Sequence, residues 1–106
     1  RVFVGDRNNS RISIFDQSGK FIAEWKQFGR PTGLYISAND ILYVADDESN
    51  PQRNPGFTPG VHVVDVREVR EIAFIPTGNT ERAIPDASGN IFAAVLGGRM
   101  VRKFEK

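Results

Sequence analysis

The sequence predicts an all-β chain, and three observations carry that prediction. The apolar stretches are short and rich in Val, Ile and Phe, as in Val2-Phe3-Val4, Ile12-Ser13-Ile14-Phe15, Phe21-Ile22-Ala23-Glu24-Trp25 and Ile41-Leu42-Tyr43-Val44. Clusters of turn-forming residues separate them: Asp16-Gln17-Ser18-Gly19, Ser37-Ala38-Asn39-Asp40 and Asp86-Ala87-Ser88-Gly89. Such runs, spaced by turn signals, read as strands of an antiparallel meander. No window sustains apolar residues at i, i+3, i+4 and i+7 for long enough to make a helix.

Taken in order, strands are expected at 2–5, 11–16 and 20–25, then at 33–37, 41–46, 61–66 and 69–75, and finally at 82–86, 90–95 and 99–105. Internal similarity groups these ten segments. Val2-Phe3-Val4-Gly5-Asp6 matches Leu42-Tyr43-Val44-Ala45-Asp46 at an offset of 40 residues, whereas Ile14-Phe15-Asp16 matches Val63-Val64-Asp65 at 49. The nine extra residues therefore lie between the matched strands of the second unit, in the Pro-, Asn- and Gly-rich stretch from Asp47 to Gly60. The third unit agrees, because Ile91-Phe92 follows Leu42-Tyr43 by 49 residues and Phe104-Glu105 follows Val64-Asp65 by 40.

A period of about 40 residues with four strands per unit is the signature of a β-propeller blade. The expected fold is thus an all-β propeller fragment of three blades and ten strands, half of a six-bladed ring. Blade one covers 1–29 and lacks its inner strand. Blade two covers 30–78 and holds the inserted loop 47–60, while blade three covers 79–106 and lacks its outer strand. Terminal blades expose apolar faces, so a homodimer that completes the ring is expected, unless the chain is an excised piece of a longer one.

Phe3-Val4-Gly5-Asp6-Arg7-Asn8-Asn9-Ser10-Arg11-Ile12-Ser13-Ile14-Phe15-Asp16 resembles the NHL repeat, as does Arg30-Pro31-Thr32-Gly33-Leu34 followed by Leu42-Tyr43-Val44-Ala45-Asp46. The third unit departs from the pattern, with Val95 where Asp6 and Asp46 stand in the others. The order of motifs is also similar to the lyase domain of peptide-amidating enzymes and, more distantly, to gluconolactonase- and paraoxonase-type propellers. That resemblance implies ligands at the mouth of a central tunnel, on the residue just before the Gly-Leu-like pair of each inner strand. The corresponding positions are Thr32 and Glu81. Neither is histidine, so the zinc site of the lyase is not reproduced.

Composition removes several functions. Fourteen Lys and Arg against 13 Asp and Glu leave a net charge of +1, which gives no case for a nucleic-acid or membrane-surface footprint. The absence of cysteine rules out thiolate metal sites, disulfide scaffolds and cysteine nucleophiles, and the single histidine, His62, rules out a multi-histidine site within one copy. No apolar run is long enough to cross a membrane as a helix. The compartment stays open.

The remaining candidates are carboxylates and cations. Glu81 at a tunnel mouth, with Asp46 and Asp47, offers hard oxygen ligands suited to calcium or another divalent cation. Arg82, Arg30 and Thr32 offer an anion or small-molecule contact. Against this, Glu81 reads as a solvated acid paired to Arg82 or Arg30, Asp46 as a turn-fixing residue, and Asp46-Asp47-Glu48 as an acidic run opening a surface loop. His62, at the position of Ser13 and Arg102 in the other blades, reads as solvent-facing. Trp25 and Phe28 are expected between blades.

Two functions follow. The first is a binding or interaction module recognising a protein or small ligand, which needs no catalytic set. The other is a metal-dependent hydrolase of lactones or phosphotriesters, with Glu81, Arg82 and His62 as candidate catalytic groups.

Overall fold

The computed structural model describes residues 1–95 and 100–105; of Val95 and Met100 only the backbone is described. Ten strands alternate with short turns: β1 (Val2–Asp6), β2 (Arg11–Phe15), β3 (Phe21–Trp25), β4 (Gly33–Ile36), β5 (Ile41–Asp46), β6 (Gly60–Asp65), β7 (Arg70–Ile75), β8 (Thr80–Pro85), β9 (Ile91–Val95) and β10 (Met100–Phe104). One turn of 3-10 helix, Arg7–Asn9, joins β1 to β2. The expected start of the last strand at residue 99 lies outside the described residues.

The strands form three antiparallel sheets, β1-β2-β3, β4-β5-β6-β7 and β8-β9-β10, and within each sheet strands adjacent in sequence are paired. The turn residues explain the hairpins. Asp16 accepts the backbone N–H groups of Ser18 and Lys20, and Asp86 those of Ser88 and Asn90, so the same Asp-x-Ser-Gly turn is built twice.

The sheets stack face to face, with the four-stranded one in the middle. Alternation along β5 and β6 sends side chains to both sides. Leu42, Val44 and Val64 join Ile12, Ile14, Trp25 and Phe28 in a core against the first sheet. Val61 and Val63 join Ala83, Ile91 and Ala93 in a second core against the last sheet, with Tyr43 and Ile75 at its margin. The expected place of Trp25 and Phe28, between sheets, is the observed one.

The leading strands converge. β4 lies against both β1 and β8. Gly33 makes the approach to β8 possible, since a Cβ there would sit 2.4 Å from the Glu81 carbonyl oxygen. Among the described residues no helix is long and apolar enough to span a membrane.

Candidate functional site

The sequence candidates gather at the end of the stack where β4 meets β8 and the long loop leaves β5. Thr32 sits at the seam. Its hydroxyl has one proton and three carbonyls within reach, those of Ala45 (3.0 Å), Thr80 (3.2 Å) and Glu81 (3.3 Å). The Thr32 side chain therefore ties β4 to β5 and β8, and its donor is used internally. Arg82 is exposed and lines an open groove of about 390 Å³ with Thr32, Gly33, Leu34, Phe3 and Gly5. No ion pair engages Arg82 among the described residues, which leaves it the one free cation of the predicted set. Glu81 is exposed next to it.

Arg30 is placed elsewhere. Its Nε donates to Glu48 Oε1 at 2.9 Å, with the Arg30 side chain largely buried, so it pairs with Glu48 and not with Glu81. Glu48 also draws Arg7 (3.7 Å) and Arg53 (3.6 Å). The hydrogen bond from Arg30, helped by the three positive charges, holds the Glu48 carboxyl below the usual range. This three-arginine hub pins the inserted loop to the start of β4 and to the β1–β2 turn.

Asp46 is fully buried at the end of β5 and is saturated by internal donors. It accepts the backbone N–H groups of Arg30 (2.9 Å), Glu48 (3.0 Å) and Ser49 (2.9 Å), and the Ser49 hydroxyl as well. The turn-fixing role expected of it is the role it has. Asp6, its counterpart in the first sheet, instead accepts from the side chains of Asn9 and Arg11.

Asp47 differs from the solvated acid that its place in a loop suggests. Its Oδ1 is buried without a hydrogen-bond partner. Burial first, then the charges of Glu48, Asp46 and Glu81, push its carboxyl above the ordinary range, with Arg7 partly opposing. The charge of Glu81 thus reaches Asp47, but Asp46 faces its own N–H donors. Among the described residues no three His, Asp or Glu side chains converge as a metal site would require.

His62 corrects the expectation of a solvent-facing residue. It is 5% exposed and points toward the first sheet, because Val44 and Phe74 are its partners across β5 and β7. Its ring lies 4.7 Å from that of Phe74 and 6.1 Å from that of Phe57, which the inserted loop supplies. Nδ1 is bonded to the Glu71 carboxylate, while Nε2 is buried and unpartnered. Nε2 faces the backbone of Gly29, where a Cβ would sit 2.9 Å from it and 2.6 Å from Asp46 Oδ2. No space remains there for a substrate, so His62 is a packing residue.

Three contributors were missed by sequence reasoning: Glu48 as a hub, Glu71 as the His62 partner, and Gly29 as the spacer. Glu48 alone had a signal, as the last acid of the Asp46-Asp47-Glu48 run. The other two depend on a diagonal contact between β6 and β7 and on the path of the β3–β4 link over the middle sheet, which strand periodicity does not specify. No family model matches the chain, and no curated protein matches it.

Proposed function

We propose that the chain is a binding and interaction module of the NHL-repeat propeller type, in which two copies stack their end sheets into a six-bladed ring. A small molecule or protein is then recognised at the mouth of the central channel, where Arg82 and Thr32 line the groove beside β1 and β4.

One observation carries this reading: positions that are buried in the middle sheet recur, exposed, on the two end sheets. Val2 and Val4 are the counterparts of Leu42 and Val44, 40 residues later, which are 1% and 0% exposed. Val101 is the counterpart of Val61, 40 residues earlier; Val61 is 0% exposed and Val101 is 69%. The outer face of the last sheet, with Ile84, Phe92 and Val101, is chemically the face that the first two sheets turn toward their neighbours. The outer face of the first sheet, with Val2, Val4 and Ile22, is the face that the other two turn the opposite way.

The test is the mass in solution. Light scattering should return twice 11.8 kDa. Val101→Asp or Val4→Asp, each on a surface position, should return single copies without loss of the β spectrum. A wild-type chain that stays fully folded and single at high micromolar concentration would overturn the assembly.

A further inference from the structure

The three arginines around Glu48 come from three separate segments. Arg30 precedes β4, Arg7 lies in the β1–β2 turn, and Arg53 is carried by the inserted loop. Their contacts differ. Arg30 is largely buried, and its Nε donates to Glu48 Oε1 at 2.9 Å in a full charge-assisted hydrogen bond. Arg7 and Arg53 stand off at 3.7 Å and 3.6 Å, beyond hydrogen-bond distance, and each side chain is 54% exposed. Neither guanidinium makes a hydrogen bond among the described residues, so both keep their forks of N–H donors unspent.

Both reach the same carboxylate, so two exposed cations are held side by side above a single anion. Their backbones are fixed locally. Arg7 opens the turn of 3-10 helix, and Asn50 Oδ1 accepts the N–H groups of Gln52 (2.9 Å) and Arg53 (2.7 Å). One carboxylate shared among three guanidiniums offsets only part of the repulsion between Arg7 and Arg53. The neighbouring acids do not take up the free donors. Asp46 is fully buried and spends its oxygens on the N–H groups of Arg30, Glu48 and Ser49. Asp47 makes no ion pair with either arginine among the described residues, and its Oδ1 is buried. Two guanidiniums so placed suit an oxyanion arriving from solvent, because each fork can give parallel N–H bonds to a phosphate or carboxylate.

We propose that Arg7 and Arg53 form an oxyanion-binding site between the β1–β2 turn and the inserted loop, which takes the phosphate or carboxylate group of a small molecule. Glu48 and Arg30 are its positioning residues. The site shares no lining residue with the groove at Arg82 and does not require copies to stack, so it stands or falls separately from the assembly.

The probes are inorganic phosphate and acetate, titrated separately into the full chain at constant ionic strength while the arginine Nε–H signals are followed by NMR. Saturable shifts of the Arg7 and Arg53 signals are expected from at least one probe, and the tighter probe names the group that the site takes. Arg7→Gln and Arg53→Gln should each weaken binding by about tenfold. Arg53→Lys, which keeps the charge and loses the fork, should recover part of that loss. Lys20→Gln, at an exposed cation of the β2–β3 turn, should leave the affinity unchanged. The backbone amide signals show that each variant keeps the fold. Shifts that stay linear in concentration for both probes, Gln variants that bind like the wild type, or equal weakening by Lys20→Gln would overturn the proposal.

Discussion

Gly29 shows how one residue lets the β3–β4 link lie close against the middle sheet. Its φ of +80° lies in the left-handed region, and a Cβ would collide with Asp46 and His62 together. Gly29→Ala combines backbone strain with a clash against two buried groups, so a loss of about 2 kcal/mol or more is expected from urea unfolding. Asp47 makes the opposite prediction. Its folded carboxyl binds a proton more tightly than the unfolded one, so its favourable contribution is complete below the unfolded pKa and is lost as pH rises through the folded value. Asp47→Asn should therefore exceed the wild type in stability at neutral pH, with the gain vanishing in acid. Glu48 runs the other way: its lowered carboxyl stabilises the fold above the unfolded pKa, and that support disappears as pH falls through the folded one. Urea midpoints for both Asn and Gln variants, measured from neutral to acid pH, check both signs. The environments of His62 and Asp47 were not legible in the sequence. Alternation assigns a residue to one of two faces, and only the neighbouring sheet decides whether that face is wet. Asp46, by contrast, could be read as a turn-fixing residue because its role is local to the end of its own strand.

At the scale of elements, strands were legible almost to the residue, because the turns after β2, β6 and β8 are each closed by their own Asp and need no distant partner. The β8 start was the poorest. The strand was expected from residue 82, yet it begins at Thr80, which is fully buried and pairs with Val95, and a register shift follows between Thr80 and Arg82. Bulges at Ile14/Phe15 and at Val63/Val64 fall on equivalent positions of the first two units. They were invisible to period-2 reading, since a bulge changes the count of residues between pairs without changing composition. The first sheet is attached to the rest chiefly through the core that includes Trp25, whose ring meets Phe3 at 5.6 Å and Phe28 at 5.9 Å. Trp25→Ala should cost about 3–5 kcal/mol, read as a lower thermal midpoint. Hydrogen exchange should show where the loss falls: amides of β1–β3 lose protection before those of β8–β10, since each sheet of a stack leans only on its neighbours.

The molecule as a whole has two cores and no centre, with overall extents of 39 × 36 × 21 Å. Its repeat was the most legible feature of all: the same offsets that align the strands also predict which end positions are left exposed. The two outer faces are unlike each other, and that has a consequence for growth. Unlike faces join head to tail, and such a series either bends back on itself or runs on without limit. If copies join through these faces, closure requires the three sheets of each copy to sweep half a turn between them. A change at Gly33, where a Cβ would force β4 and β8 apart, would alter the wedge between sheets while leaving both outer faces as they are, and would turn a closing series into one that runs on.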